Sequence, residues 1–273
     1  MQVAEWMPVV CVLACILLYF LAIMPRVWGR PDQRSLKGWY YAHRGFYNND
    51  KKAPENSMRA FERAVEKGYG IELDVQLTKD KKPVVFHDFT LKRVCKEDGK
   101  VSDYTYEQLK QFRLFQTDQR IPLLSEVLKL VGGRVPLIVE LKIERTDLSV
   151  CPATAALLER YQGPYCIESF NPLGLFWFRW KYPRIVRGQL SDNFPRETGR
   201  NGIIEQCLRH LLFNWLTKPD FIAYHCKYPG ALSRWLCRHL YGATAVAWTV
   251  RSSAEKKKLE KEFDLFIFEH FAA

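Results

Sequence analysis

The chain has no Cys-x-x-Cys pair. Its eight cysteines, Cys11, Cys15, Cys95, Cys151, Cys166, Cys207, Cys226 and Cys237, follow no framework spacing. That pattern excludes a thiolate zinc site, and a chain of 273 residues needs no disulfide staples, so reduced thiols are the simplest expectation. The first six residues, MQVAEW, lack Lys and Arg, and no small-x-small site precedes Arg26. A cleaved signal peptide carries both features, so their absence argues for a retained segment. Acidic residues are the minority, 30 against 41 Lys and Arg, for a formal charge of +11. Such a surface suits nucleic acid or a membrane. The membrane explains it better here, and no nucleic-acid partner is expected.

The reason is an uncharged run. From Met7 to Met24 there are eighteen residues without a charge, about 27 Å of helix at 1.5 Å per residue, close to the thickness of a hydrocarbon core. Arg26, Arg30, Arg34 and Lys37 follow this run and no basic residue precedes it. Anionic lipid attracts such residues. The positive-inside rule then places the rest of the chain in the cytoplasm. We expect two parts: residues 1–37 as a transmembrane anchor with a basic linker, and residues 38–273 as one soluble domain.

Three stretches in that domain carry chemistry: YAHRGF at 41–46, GIELDVQLTKD at 70–80 and PVVFHD at 83–88. In the second, Ile71, Leu73, Val75 and Leu77 alternate with Glu72, Asp74 and Gln76, which puts the two acids on one face of a strand. Their Cα atoms would lie roughly 6.5 Å apart. Carboxylates aimed into one enclosed space repel unless a cation or proton lies between them. A third, Glu140, ends the apolar run Leu137 to Val139 and shares a face with Lys142. Oxygen ligands alone suit a hard divalent cation, Mg²⁺ or Ca²⁺. A lone strand carboxylate usually faces solvent, and a lone His is usually structural; three acids, Lys142, His43 and His87 together on apolar strands are not explained that way.

The chain resembles the glycerophosphodiester phosphodiesterases. The resemblance rests on HRG at 43–45, PEN at 54–56, ELD at 72–74, HD at 87–88, ELK at 140–142, SFNP at 169–172 and AWTV at 247–250, in the family's order. It implies a TIM-barrel enzyme that hydrolyses glycerophosphodiesters to glycerol 3-phosphate and an alcohol. By resemblance, His43 and His87 are the acid and base, and Glu72, Asp74 and Glu140 hold the metal. Arg44, Glu55, Lys142, Phe170 and Trp248 are expected to touch substrate. One departure stands out. The family closes with a Gly-rich strand ending in a Thr-Asp pair, where this chain reads FDLFIFEHFAA, and Glu269 or His270 is the expected stand-in.

The fold is also legible from periodicity. Strand-like runs fall at 39–43, 70–77, 83–87, 137–142, 165–170, 185–190, 221–225, 243–250 and 265–268. Five residues between the second and third are too few for a parallel crossover, so these two form a hairpin. The other eight, mostly followed by helical patterns, make a TIM (β/α)₈ barrel with a small hairpin insertion, preceded by one transmembrane helix. Residues 89–120 and 191–216 are the least regular and read as insertions.

The run LGLFWFRWKY at 173–182 holds more aromatics than one buried helix face accepts. Its outer rings and basic residues are expected at the bilayer interface, with the barrel mouth facing lipid and a lysophospholipid as an alternative substrate. A non-catalytic membrane scaffold is the alternative of a different class; it would tolerate loss of His43, Glu72, Asp74, His87 or Glu140, and all five are present.

Overall fold

The computed structural model describes residues 2–50 and 52–273. In chain order the elements are α1 (Gln2–Ile23), β1 (Tyr40–Ala42), α2 (Met58–Glu66), β2 (Gly70–Leu77), β3 (Pro83–Val85), α3 (Lys92–Cys95), α4 (Tyr106–Leu109), α5 (Leu124–Val131), β4 (Leu137–Leu141), α6 (Val150–Leu158), β5 (Tyr165–Ser169), α7 (Pro172–Lys181), β6 (Arg187–Ser191), α8 (Phe194–Glu197), α9 (Ile203–Arg209), α10 (Asn214–Thr217), β7 (Phe221–His225), α11 (Leu232–His239), β8 (Thr244–Val250), α12 (Ser253–Leu259) and β9 (Leu265–Phe268). The sheet runs β1-β9-β8-β7-β6-β5-β4-β2 and closes where β1 pairs with β2. All eight are parallel, and β3 hangs antiparallel on β2 as the predicted hairpin arm. That arm is shorter than expected: the strand ends at Val85, and His87 lies in the turn beyond it.

The period of two sorts side chains into two cores. Ile71, Leu73, Val75, Val139 and Ile167 join the helices in the outer core. Tyr41, Ile138, Cys166, Phe221, Val246 and Ile267 fill the barrel's N-terminal half, with Leu36 as a plug beneath them. Two residues further along the same inward rows, the chemistry changes: Tyr41 gives way to His43, Ile138 to Glu140, Cys166 to Glu168, Val246 to Trp248 and Ile267 to Glu269. The C-terminal mouth is therefore polar over an apolar floor, the usual layout of this barrel. Close packing of the floor depends on Gly188, where a Cβ would come within 2.0 Å of the Phe221 ring.

The insertion at 89–120 carries α3 and α4 and builds its own buried cluster with the hairpin arm, from Val84, Phe86, Leu91, Val94, Leu109 and Leu114. The other irregular stretch carries α8, α9 and α10. The eight cysteines are all free, and Cys95, Cys151, Cys226 and Cys237 are buried, which pushes each thiol up to about 12.

Among the described residues, one helix is long and apolar enough to cross a membrane, Trp6–Ile23 in α1. Residues 6–18 are exposed; only the last turn meets the barrel, where Ile23 is buried. Asn214 Nδ2 donates to Ile23 O at 2.8 Å and Tyr241 hydroxyl to Phe20 O at 2.9 Å. Arg26 Nη2 donates to Pro183 O at 2.8 Å, and Arg30 Nη2 to Tyr241 O at 2.6 Å. Pro183, Asp220, which lies 3.5 Å from Arg26, and Tyr241 precede strands β6, β7 and β8, so α1 joins the barrel at its base. α1 therefore leaves the barrel at the end opposite the mouth, because the segment after it is spent plugging the floor.

Candidate active site

One carboxylate oxygen from each of Glu72, Asp74 and Glu140 lies within 4.8 Å of the others. Strand pairing makes this possible, since β2 and β4 run in register with Asp74 beside Glu140. All three side chains are buried. Burial, then the neighbouring Asp74 and Glu140 carboxylates, pushes Glu72 well above the usual carboxylate range. Burial also raises Glu140, against the pull of Lys142. Asp74 goes the other way: burial would raise it, but His87, Lys142 and Arg44 outweigh burial and hold it ionised. Lys142 Nζ sits 2.9 Å from Glu140 Oε1 and 3.5 Å from Asp74 Oδ1.

Whether this set fits a metal ion can be tested on its free oxygens. Asn56 Nδ2 donates to Asp74 Oδ2 at 2.8 Å, yet Asp74 Oδ1 and Asn56 Oδ1 are buried without hydrogen-bond partners. Clustered, unpartnered oxygens with no nitrogen or sulfur donor are what a hard divalent cation requires. The residues fit it.

His43 follows β1 in a turn that only glycine closes, because Gly45 has φ +82° and a Cβ there would lie 2.9 Å from the Ala60 backbone. Its Nδ1 is 2.7 Å from Glu269 Oε2. Burial would raise Glu269, but His43, Arg251 and Tyr47 hold it well below the usual carboxylate range. An ionised carboxylate can only accept, so Nδ1 carries the proton and Nε2 keeps its lone pair. Nε2 lies 3.9 Å from Glu72 Oε2. Burial and Arg44 push His43 down to about 4, against the pull of Glu269. A neutral imidazole beside the acid cluster can take a proton at neutral pH.

His87 lies in the turn after β3, its Nδ1 2.6 Å from Asp88 Oδ1. Gln76 holds that turn: its Nε2 donates to the carbonyls of Phe86, His87 and Asp88 at 2.7, 3.2 and 2.8 Å. Arg93 from the insertion pairs with Asp88 and Glu55, each at 2.6 Å, and Glu55 pairs with Arg44 at 2.7 Å. Beside Lys142 a cavity of about 480 Å³, lined by Gln76, Phe89, Lys100 and Arg145 among others, extends the site toward the insertion.

Of the expected substrate contacts, Arg44, Glu55 and Lys142 join the acid cluster directly or through one partner. Phe170 and Trp248 do not. They form a T-shaped pair, centroids 5.5 Å apart, on the β5–β8 side, and His225 meets Trp248 edge-on with centroids 5.0 Å apart. Sequence reasoning missed Glu168, Gln76, Asn56 and Arg93. Glu168 lies beside Glu140 in the β4–β5 register and is buried, which raises it well above the usual range. Nothing in the sequence marks Arg93.

Comparison with known proteins agrees with this geometry. The glycerophosphodiester phosphodiesterase of Bacillus altitudinis is 45% identical over 113 residues, 39% of this chain and 45% of that protein. Glycerophosphodiester phosphodiesterase 1 of Mus musculus is 37% identical over 94 residues, 31% of this chain and 28% of that protein. The chain thus spans less than half the length of these curated relatives. Among solved structures, an Oleispira antarctica phosphodiesterase in complex with sn-glycerol-3-phosphate superposes with a TM-score of 0.69 at 24% identity, covering 86% of this chain and 94% of that one. A glycerophosphodiester phosphodiesterase from Parabacteroides distasonis gives 0.65 at 26% identity, covering 84% and 92%. The family model of the glycerophosphoryl diester phosphodiesterases matches residues 43–262, most of the chain and all of the site up to Trp248, and the chain belongs to that family.

Proposed function

We propose that this protein is a membrane-anchored glycerophosphodiester phosphodiesterase that releases glycerol 3-phosphate and an alcohol. The observation that carries the reading is the buried Glu72, Asp74 and Glu140 cluster with His43 and His87 close by, the first held by Glu269 and the second by Asp88. A divalent cation, Mg²⁺ or Ca²⁺, held by the three acids would supply positive charge where a phosphodiester's non-bridging oxygens gain negative charge. Lys142 and Arg44 add fixed charge at the same place. His43 Nε2 takes the proton from a hydroxyl of the substrate's glycerol. That oxygen bonds to phosphorus, the bond to the alcohol breaks, and His87 gives the alcohol its proton; water then opens the cyclic phosphate. Phe170 and Trp248 line the far side of the mouth, where the rest of the substrate rests.

In this reading α1 spans the bilayer and the barrel is cytoplasmic. The bonds from Asn214 to Ile23 O and from the Tyr241 hydroxyl to Phe20 O support retention of α1, since cleavage after it would remove both acceptors. With the anchor at the base, the mouth opens to water, which favours dissolved glycerophosphodiesters over bilayer lipids.

The test is metal and activity together. Asp74→Asn and Glu72→Gln should each lose roughly 10²-fold or more in turnover of glycerophosphocholine and lose calorimetric binding of Mg²⁺ or Ca²⁺, with unchanged circular dichroism. Retained metal binding in both variants would remove the three-acid site.

A further inference from the structure

We propose that the base of the barrel holds a site for the phosphate of an anionic phospholipid headgroup. The inference rests on α1 spanning a membrane. A cavity of about 290 Å³ opens immediately after α1, and Arg26, Arg179, Arg187 and Lys218 line it together with Trp28. Four cations face one carboxylate: Asp220 Oδ1 is 3.5 Å from Arg26 Nε, and Asp220 Oδ2 accepts the Arg187 backbone N–H at 3.0 Å.

One carboxylate cannot neutralise four cations, and their remaining bonds go to carbonyls. Arg26 Nη2 donates to Pro183 O at 2.8 Å, Arg179 Nη1 to Leu216 O at 2.6 Å, and Lys218 Nζ to Met24 O at 3.0 Å. Carbonyls fix geometry but leave the charge unmatched. Arg187 is the sharpest case: it is 1% exposed, its Nε donates to Thr217 O at 2.9 Å, and its Nη1 has no partner. A buried guanidinium that is partly unbonded is costly. Burial, then Arg26, pushes it down to about 10. Nothing in the reaction uses this group, because Arg187 opens β6 at the end opposite the acid cluster.

Position selects the anion. The cavity begins at Met24, one residue after the apolar helix ends, so it lies at headgroup level when α1 spans the bilayer. Trp28 lines it, Trp180 follows the lining Arg179 in the chain, and Trp215 is bonded to Arg179 through its carbonyl; the three are 80%, 77% and 55% exposed. Exposed tryptophans at the end of a spanning helix are the usual interfacial belt. Arg179 ties two of these elements together, since its helix carries Trp180 and its Nη1 also donates to Trp215 O at 3.1 Å. A lipid phosphate beside α1 would meet all four cations.

The experiment uses the full chain in a neutral detergent and follows thermal unfolding during titration with short-chain phosphatidylglycerol, short-chain phosphatidylcholine or inorganic phosphate. Phosphatidylglycerol should raise the midpoint by roughly 3 °C or more, phosphatidylcholine should not, and phosphate should fall well short at equal concentration. Arg179→Gln combined with Lys218→Gln should abolish the shift while glycerophosphodiester hydrolysis stays unchanged. Equal shifts from both lipids, a full shift from phosphate alone, or a shift that survives the double variant would each overturn the proposal. Carbonate extraction of membranes tests α1 separately. Extraction-resistant protein without a lipid shift sinks the headgroup site alone, whereas protein that carbonate releases sinks the membrane reading and this inference with it.

Discussion

At the residue scale, Glu269 decides what His43 can do. The pair at 2.7 Å fixes the tautomer, and the carboxylate opposes the burial and the Arg44 charge that push His43 down. Glu269→Gln should therefore lower turnover by roughly 10-fold to 10²-fold, the scale of a mispositioned base. The sign of the pH effect follows. Without the carboxylate the imidazole is harder to protonate, so the acid limb of kcat/KM should move to lower pH while the plateau drops. A limb that stays in place, measured with saturating Mg²⁺, would show that Glu269 does not act on His43. Glu269 was visible in the sequence only as the acid standing where the family's Thr-Asp pair is missing. Its partner was not, because β1 and β9 become neighbours only when the barrel closes, and no local pattern encodes a contact between residues 43 and 269.

At the element scale, alternation explains how much was legible. In β2 the inward row Glu72, Asp74, Gln76 and the outward row Ile71, Leu73, Val75 could be read from the order of residues alone, and the observed strand is Gly70–Leu77 as expected. Glu168 obeys the same rule in β5, yet YCIES has only one acid and so gave no cluster to notice. Gln76 escaped for another reason: its three hydrogen bonds reach a turn ten to twelve residues away that has no repeating geometry. The floor shows the same logic in packing. Gly188→Ala would drive a methyl into the Phe221 ring. Overpacking of this kind costs about 1–3 kcal/mol, and chemical denaturation should show a loss in that range, largely restored by Phe221→Leu in the same chain. A fully stable Gly188→Ala protein would mean that the floor has slack.

At the scale of the whole molecule, composition marked an apolar helix long enough to cross a membrane, but the end of the barrel it would leave from was out of reach. Charge and hydropathy locate Met7 to Met24; they do not say which end of a barrel the following residues will close. Leu36 in the floor, with the Tyr41 hydroxyl donating to its carbonyl at 2.7 Å, settles that the chain enters from below. The basic residues after α1 also divide in two. Arg26 and Arg30 are bound to barrel carbonyls, whereas Arg34 makes only an exposed pair with Asp32 at 2.6 Å. The aromatic run in α7 splits likewise, Phe178 buried and Trp180 out.

In the membrane-anchored reading, entry from below also sets a distance. Eight residues of β2, tilted as in such barrels, rise about 20 Å from floor to mouth. Ions screen a charged surface over about 8 Å at physiological salt and about 30 Å at 0.01 M. The reacting phosphate should therefore be blind to the lipid's surface potential in the cell and sensitive to it only in dilute buffer. For a glycerophosphodiester of net charge −1, KM in proteoliposomes at 0.15 M salt should be the same on neutral and anionic bilayers. At 0.01 M it should rise about two-fold on the anionic ones, from a surface potential on the order of −30 mV. A barrel lying on its side, with its mouth at the headgroups, would show the difference at both salt concentrations.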